Sequence, residues 1–454
     1  MTKRRLINVF DLGPGDGGKG GVVHKYATEF DAHTILKVGG AQGSHGVTTD
    51  DRSFAFSQWG CGTFENIQTH ITDRFVMCPD GLLAEAEALQ EVGVSDPWSL
   101  LTVDGGAICS TPYHGFSSRI RELLRGDDPR GTIGSGVGQA YRRSFSCPSL
   151  TFRAHEFSCG DKAKIAAKLK NIRMNEFELL QELGHRNLLE SDIDEYDSEL
   201  KMFNDDGFFD YIVDTYESLF HVLSVVNEVS HIRSTLNVPG TMIVENSHGV
   251  LTDNIVGFHP HTSALRTLPK FNYEYFHSHG FSGEYVNIGV HRAYSIRHGA
   301  GPLPTHDPSM NEKLLPGSNK DENRYQGKVR VGPLDFLLLR YALRYSGNVD
   351  GLAITWFDQV GKKGSWDICN LYEYWYRDSC VSVNTDIPVH NNHKTPNALI
   401  NATPVIETIS LPNSLTEQFE LCSRIVQEKL NVPVDLVSFG PRDRNKVLRG
   451  INHV

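Results

Sequence analysis

The sequence predicts an α/β fold in which a large, mostly parallel central sheet is flanked by helices, with a further helical region in the middle of the chain. Short apolar runs that end in glycine alternate along the chain with segments of helical periodicity. The first run leads through a glycine-rich loop into a helix start, which is typical of nucleotide-binding α/β proteins. The 454 residues, of which 39% are hydrophobic, are sufficient for a large core.

The N-terminal half begins with an apolar strand over residues 5–12, because the run stops abruptly at a glycine loop. A helix is expected over 21–30, and a second strand over 33–40 ends in another glycine pair. Residues of about 160–235 are expected to be helical, since apolar side chains recur at helical spacing. The two helices predicted there cover residues 162–184 and 211–226.

The C-terminal half returns to alternating strands and helices. Asp335 is a suitable N-cap for a helix over 336–344. Residues 306–328, which are polar and contain Pro, Gly, Ser and Asn, are expected to form a long loop. The remaining expected elements are strands at 241–245, 351–355 and 434–438 and a helix at 415–430. No linker divides the chain, so residues 1–454 are expected to form a single domain.

Charge and composition exclude several classes of protein. The formal net charge of -11 repels polyanions and disfavours a nucleic-acid-binding protein. No apolar run approaches the roughly 20 residues of a membrane-spanning helix, and the N-terminal run is too short for a signal peptide. The eight cysteines include no C-x-x-C pair, so a reducing cytoplasm is the expected location.

The loop Gly13-Pro-Gly-Asp-Gly-Gly-Lys-Gly20 fits the first seven places of the P-loop pattern but has glycine where Ser or Thr would hold magnesium. A metal bound to phosphate would need another hard oxygen, and Asp16 lies in the loop. A carboxylate beside a triphosphate is costly unless a metal or a proton transfer compensates for it. Asp16 therefore suggests catalysis, although the loop alone is also compatible with an ordinary strand-to-helix turn.

Two further glycine-rich loops strengthen this interpretation. Gly39-Gly-Ala-Gln-Gly-Ser-His45 places an imidazole among glycines, although a single histidine is also compatible with a structural role. Gly131-Thr-Ile-Gly-Ser-Gly-Val-Gly138 is followed by two arginines that could meet a phosphate. Three such loops together indicate two nucleotides, or a nucleotide and a phosphorylated intermediate, and hence phosphoryl transfer.

The order and spelling of these segments resemble the adenylosuccinate synthetase family. Gly15-Asp-Gly-Gly-Lys-Gly20 is similar to the family's G-D-E-G-K-G, and Ala293-Tyr-Ser-Ile-Arg-His-Gly-Ala-Gly-Pro-Leu-Pro-Thr305 is nearly its A-Y-S-T-R-V-G-A-G-P-F-P-T. Glu245-Asn-Ser-His-Gly249 and Val432-Pro-Val-Asp-Leu-Val-Ser438 also match family segments in order. The resemblance implies the family's P-loop-NTPase-like fold and its GTP-dependent ligation of an amino acid to a purine nucleotide.

The resemblance also implies residue roles. It makes Asp16 the base for the purine N1 proton and a Mg²⁺ ligand together with the carbonyl of Gly40, whereas His45 and Lys19 act on the phosphates. GTP would contact Gly15, Gly17, Gly18, Lys19, Gly20, Gly43, Ser44, His45, Asp358, Ser438, Gly440 and Pro441. The acceptor nucleotide would contact Asp16, Gln42, Thr132, Ile133, His248, Thr262 and Arg143, and the amino acid would contact Lys328 and Arg330.

Departures from the family pattern concentrate at the acceptor and amino-acid sites. Gln42, Ile133 and His248 replace the family's asparagine, threonine and glutamine, and Trp356 replaces the lysine near the guanine. The family's arginine-rich run keeps only two cations here, at Lys328 and Arg330. The resemblance further implies a homodimer with an arginine donated across the interface, for which Arg142, Arg143 and Arg153 are candidates.

The leading interpretation is a Mg²⁺-dependent ligase that uses GTP, IMP and aspartate. One alternative keeps this chemistry with another acceptor, such as (d)GMP, or another amino acid. Another is a nucleotide-sensing module without turnover, against which the presence of Asp16, Lys19 and His45 argues.

Overall fold

The computed structural model describes residues 3–184, 187–226, 228–315, 324–376, 379–383, 387 and 394–449. The strands in these residues are β1 (Arg4–Asp11), β2 (Ala32–Gly40), β3 (His45–Thr48), β4 (Ser53–Phe56), β5 (Gln68–Met77), β6 (Leu101–Asp104), β7 (Ile108–Cys109), β8 (Val225–Val226), β9 (Gly240–Gly249), β10 (Glu284–Arg292), β11 (Ser295–His298), β12 (Val329–Gly332), β13 (Leu334–Asp335), β14 (Gly351–Thr355), β15 (Ser365–Tyr376), β16 (Ser379–Val383), β17 (Thr403–Ser410), β18 (Val434–Ser438) and β19 (Lys446–Leu448). The α-helices are α1 (Lys19–Glu29), α2 (Pro79–Glu91), α3 (Pro112–Leu123), α4 (Val137–Ser146), α5 (Lys162–Gln181), α6 (Ile193–Phe203), α7 (Asp206–Ser218), α8 (Glu228–Asn237), α9 (Pro269–Ser278), α10 (Pro308–Leu314), α11 (Phe336–Ser346), α12 (Phe357–Gly361), α13 (Lys394–Ile400) and α14 (Leu415–Leu430).

Eleven strands form the central sheet, in the order β19-β18-β14-β10-β1-β9-β2-β5-β6-β8 with β7 beside β5. Neighbouring strands are parallel except for β18 and β19, which confirms the expected mostly parallel sheet. The carboxyl ends of parallel strands meet at one edge, where α/β proteins bind their ligands. The loops after β1, β2, β9, β14 and β18 therefore gather at this edge.

Apolar side chains pack on both faces of the sheet. On β1, Ile7 and Val9 belong to an apolar cluster that includes side chains of α1, α2, α3 and the middle helices. Phe10 belongs to a second cluster, with side chains of α11, α14 and β15, because successive strand residues point to opposite faces. Among the described residues, no helix is both long enough and apolar enough to span a membrane.

The helical middle region is confirmed, with α5 close to its expected bounds. The helix predicted over 211–226 is wrong at both ends. Asp205 caps α7 by accepting a hydrogen bond from Phe208 N at 2.7 Å, so the helix begins earlier. At the other end, Val225 and Val226 form β8, which pairs with β6.

The segment 306–328 is not entirely a loop. Pro308–Leu314 forms α10, whose first turn is stabilised by Asp307, the acceptor of a 2.9 Å hydrogen bond from Ser309 N. Residues 316–323 of the predicted loop lie outside the described residues. The predicted cap at Asp335 is confirmed, since Oδ1 accepts from Leu337 N at 3.0 Å.

Candidate active site

The loop after β1 is folded around a buried carboxylate, Asp11. Its Oδ1 accepts a hydrogen bond from Gly13 N at 2.7 Å, and its Oδ2 accepts one from Gly17 N at 2.7 Å. Lys19 Nζ lies 3.1 Å from the same Oδ2 and donates a 3.0 Å hydrogen bond to the carbonyl of His248. Asp11 thus fixes both the loop and the ammonium group at the start of α1.

The glycines of this loop are required by its geometry. Gly18 caps α1 with φ 88°, in the left-handed region that favours glycine. A Cβ at Gly20 would lie only 2.6 Å from the carbonyl oxygen of Gly46. The start of α1 lines the cavity through Gly18, Lys19, Gly20 and Gly21, and the free backbone N–H groups of a helix start favour a negatively charged ligand.

Asp16 adopts a left-handed backbone conformation (φ 61°), which is uncommon for a residue with a side chain. Arg292 Nε donates a 2.6 Å hydrogen bond to its carbonyl oxygen. His298 Nε2 lies 3.0 Å from its Oδ2, and 30% of the Asp16 side chain remains exposed. Strained backbone concentrates at functional sites, and here it holds a carboxylate at the cavity surface.

His45 is part of a buried group of charges. Its Nδ1 lies 2.6 Å from Glu245 Oε1, which also accepts a 2.7 Å hydrogen bond from Lys37 Nζ. Because a carboxylate only accepts, Nδ1 carries the proton and Nε2 is left for a ligand. Burial lowers the pKa of His45 against the opposing effect of Glu245. Burial alone would raise the pKa of Glu245, but Lys37 and His45 hold it far below its usual range.

His45, Cys61 and Glu245 also have ligand-type atoms within 4.8 Å of one another. These atoms are already engaged, since the Cys61 thiol donates to Glu245 Oε1 at 3.4 Å and the ammonium of Lys37 lies 2.7 Å from the same oxygen. Burial raises the pKa of the Cys61 thiol well above its usual value, which disfavours the thiolate that metals bind. The group is therefore a hydrogen-bonded charge cluster that orients His45.

These loops surround a cavity of about 1370 Å³. Pockets for one ligand typically measure roughly 300–1,000 Å³, so the volume fits more than one ligand. The residues of the predicted site that line it are Gly15, Asp16, Gly18, Lys19, Gly20, Gln42, Gly43, Ser44, His45, Thr132, Ile133, His248, Thr262, Asp358, Ser438, Gly440 and Pro441. Gly17, Gly40, Arg143, Lys328 and Arg330 are not among the lining residues.

Two of the predicted cations are used elsewhere in the fold. Arg143 Nε lies 3.2 Å from Glu176 Oε1. Arg330 Nη2 donates hydrogen bonds to the carbonyls of Gly299 and Gly301 at 2.6 and 2.7 Å. Both guanidinium groups thus stabilise the chain itself, and their assignment to substrates stays a prediction that the cavity lining does not support.

Residues that are expected to contact the acceptor nucleotide carry buried polar atoms without hydrogen-bond partners among the described residues. Burial, followed by the charge of Lys19, lowers the pKa of His248 to about 4. Its Nε2 and Gln42 Oε1 have no hydrogen-bond partner among the described residues. In the third glycine-rich loop, Thr132 Oγ1 lies 3.1 Å from Ser118 Oγ. Unpartnered buried polar atoms that line a cavity are suited to hydrogen-bond a ligand.

The cavity lining also includes Trp356 and Asp358, the residues expected near the donor base. Asp358 Oδ2 accepts a 2.5 Å hydrogen bond from Gln359 Nε2, and burial raises the pKa of Asp358. The guanidinium carbon of Arg292 lies 4.3 Å from the centre of the Trp356 ring. This contact fixes an aromatic surface beside a carboxylate, an arrangement suited to a purine.

Sequence reasoning missed several groups. Asp11 and Lys37 carry charges on strands that were interpreted only as apolar, and His298 lies inside a family-like segment without an assigned role. A cluster of arginines that also lines the cavity was largely missed, since only its member Arg142 was considered from the sequence, although the four-residue spacing of Arg121 and Arg125 is visible there. Its members are Arg121, Arg125, Arg130 and Arg142, and it is called the arginine cluster below.

Comparison with known proteins gives consistent results. The family model "Adenylosuccinate synthetase" matches residues 10–447. The chain is 26% identical to adenylosuccinate synthetase of Shewanella halifaxensis, covering 98% of this chain and 99% of the relative, and 23% identical to that of Thermoplasma acidophilum, covering 96% and 95%.

Two solved structures share the fold. Fully ligated adenylosuccinate synthetase from Plasmodium falciparum has a TM-score of 0.76 at 17% identity, covering 98% of this chain and 99% of that chain. Cyanophage S-2L succinoaminodeoxyadenylate synthetase (PurZ), bound to dGMP and to dATP as an energy donor, has a TM-score of 0.55 at 14% identity, covering 98% and 95%.

Proposed function

Because the chain belongs to the adenylosuccinate synthetase family and is a GTP-dependent carbon–nitrogen ligase, we propose that it phosphorylates O6 of a 6-oxopurine nucleotide and joins an amino acid at C6. The simplest reaction converts IMP, L-aspartate and GTP into adenylosuccinate, GDP and phosphate. The observation that supports it best is the convergence of Asp16, Lys19 and His45 on one cavity large enough for two nucleotides.

Asp16 is the proposed general base of the first step. Its carboxylate accepts the N1 proton, and the electron pair of the N1–H bond shifts through the ring to O6. O6 then forms a bond to the γ-phosphorus as the bond to the β–γ bridging oxygen breaks. In the second step the amine forms a bond to C6, the phosphate leaves with the C6–O6 electron pair, and the nitrogen loses a proton.

His45 and Lys19 are the proposed electrostatic partners of the phosphates. Glu245 holds Nδ1 of His45, so Nε2 is the ring atom that can meet the transferring phosphoryl group. Lys19 is held by Asp11 at the helix start, so its charge is fixed before substrates bind. Donors positioned in advance of the reaction stabilise developing charge without reorganisation, and losing one costs about 10²–10³ in rate.

The residues present fit the Mg²⁺ that the family implies. Asp16 offers a carboxylate oxygen, and the buried Gln42 Oε1 offers a second hard oxygen without a partner among the described residues. Gly40 is not a lining residue, and its N–H donates to Ser247 Oγ at 2.8 Å. When bound, Mg²⁺ would neutralise charge on the donor phosphates.

Asp358 is the proposed reader of the donor base. A carboxylate accepts hydrogen bonds from N1 and the 2-amino group of guanine and finds no such pair of donors on adenine, so GTP is favoured. Ser438, Gly440 and Pro441 line the same cavity. The acceptor (IMP or (d)GMP), the amino acid and the homodimeric state are proposals that the family resemblance supports.

A product screen tests the function. Purified protein is incubated with Mg²⁺, GTP or ATP, aspartate or other amino acids, and IMP, dIMP, GMP or dGMP, and the products are identified by mass spectrometry. An adduct of amino acid and purine nucleotide supports ligase activity and identifies the acceptor. Nucleotide binding without any product across the panel would instead support the sensing module.

Asp16→Asn tests the role of the base. It is expected to leave GTP affinity nearly unchanged and to reduce kcat by about 10²-fold or more. Asp210→Asn, an exposed position on α7, makes the same chemical change away from the cavity and serves as the control. A near-normal kcat in Asp16→Asn would reject the proposed role.

A further inference from the structure

The arginine cluster brings four positive charges from three successive segments to one part of the cavity. Arg121 lies in the last turn of α3, and Arg125 follows in the turn just after that helix ends at Leu123. Arg130 follows in the connection to the third glycine-rich loop, and Arg142 lies on α4. All four line the cavity, and only Arg142 was considered from the sequence, as a contact to a phosphate and as a candidate for the arginine donated across the interface.

The charges of this cluster are poorly balanced by the protein. Arg125 pairs with Glu122. Among the described residues, Arg121, Arg130 and Arg142 form no ion pair with a carboxylate; their nearest polar contacts include Arg121 Nε to Ser117 Oγ at 3.3 Å. Burial, followed by repulsion from the other three arginines, lowers the pKa of Arg142. Such a concentration of like charge is unfavourable unless an anion binds there.

The residues next to the arginine cluster show which part of the cavity it lines. A Cβ at Gly138 would lie 3.5 Å from Ala264 Cβ and 3.6 Å from Arg142 Nη1, so this guanidinium lies close to the segment of Thr262. On α3, Ser118 contacts Thr132, one turn before Arg121. The cluster therefore lies beside Thr132 and Thr262, which are expected to contact the acceptor.

We propose that the arginine cluster binds the phosphate of the acceptor nucleotide and does so within its own chain. The proposal rests on the proposed function. A phosphate monoester carries a charge of about −1.5 to −2, and guanidinium groups bind it with paired, charge-assisted hydrogen bonds.

The arginine expected from a partner subunit is thereby replaced by arginines of the same chain. Of the three candidates for that role, Arg142 lines its own cavity, Arg143 pairs with Glu176, and Arg153 donates to the carbonyl of Gly106.

Steady-state kinetics of Arg121→Gln and Arg142→Gln test the binding role. Each variant is expected to raise KM for the acceptor nucleotide at least about tenfold, while KM for GTP stays within about twofold. Turnover of the matching nucleoside, which lacks the phosphate, is expected to change little. Arg424→Gln, on an exposed position of α14, is the charge-matched control. Equal losses with nucleotide and nucleoside, or a raised KM for GTP alone, would overturn the proposal.

A binding measurement separates this proposal from the proposed function. Inorganic phosphate and IMP are titrated against wild-type protein and Arg142→Gln, and the increase in melting temperature is recorded. Stabilisation of the wild type that is lost in Arg142→Gln supports the anion site even if no acceptor is turned over. Equal stabilisation of both proteins would overturn the site, whatever the outcome of the product screen.

Subunit mixing tests whether the cluster acts within one chain. Asp16→Asn and Arg142→Gln chains with different tags are co-expressed, and mixed dimers are isolated by tandem affinity purification. If Arg142 serves its own chain, both sites of a mixed dimer are defective and activity does not exceed that of the parent variants. Recovery of about half the wild-type activity would show that Arg142 acts across the interface.

Discussion

Replacement of Glu245 by glutamine should separate the structural and chemical roles of the buried charge cluster. Glu245 Oε1 lies 2.7 Å from Lys37 Nζ and 2.6 Å from His45 Nδ1, and the Glu245 side chain is fully buried. Glu245→Gln keeps the shape but leaves the ammonium of Lys37 buried without a counter-charge. Breaking such a pair costs about 3–5 kcal/mol in the free energy of unfolding.

The same substitution should reduce turnover, because His45 loses the carboxylate that orients its ring and stabilises its protonated form. A loss of about 10²-fold in kcat is expected, comparable to the loss of one positioned transition-state donor. Lys37→Met combined with Glu245→Gln removes the unpaired ammonium. The double variant should therefore recover most of the stability, as when a buried ion pair is replaced by neutral groups, but not the turnover.

Guanidinium unfolding and steady-state kinetics of the wild type, Glu245→Gln, Lys37→Met and the double variant provide the measurements. A kcat of Glu245→Gln within twofold of the wild type would refute the idea that Glu245 prepares His45 for catalysis. If the double variant stayed as unstable as Glu245→Gln, the loss in the free energy of unfolding would not arise from the unpaired ammonium of Lys37.

Two other changes test the donor site and a buried acid. Asp358→Asn should reduce the preference for GTP over ATP, measured as the ratio of kcat/KM values, by about tenfold, the effect of roughly 1.4 kcal/mol; an unchanged ratio would locate guanine recognition elsewhere. Burial raises the pKa of Glu85 from its usual 4.5 to about 7. The folded state then retains a proton that the unfolded chain releases, so the free energy of unfolding should fall by about 3 kcal/mol as pH rises through this window. Glu85→Gln should flatten that pH dependence in guanidinium titrations, and an unaltered slope would assign it to other groups.

Local sequence determined much of the fold because its signals act over short distances. The apolar run before Gly13 predicted β1, and Asp335 predicted the start of α11 through hydrogen bonds to residues only two and three positions away. The glycine-rich loops, together with the family-like segments that begin at Glu245, Ala293 and Val432, were sufficient to indicate the family. The start of α7 at Asp206 was missed. Asp205 signals an N-cap there, whereas the apolar residues that follow are also compatible with a different helix start.

Only the tertiary structure decided which partner each charged side chain has. Glu245 is 208 residues from Lys37 and 200 from His45 in the chain, yet one of its oxygens binds both. Likewise, only the folded chain shows that Arg330 donates hydrogen bonds to backbone carbonyls, whereas Arg142 lines the cavity. The physical reason is that a residue's type fixes its charge and its hydrogen-bonding groups, whereas the partners that satisfy them come from strands and helices brought together by the packing of the sheet.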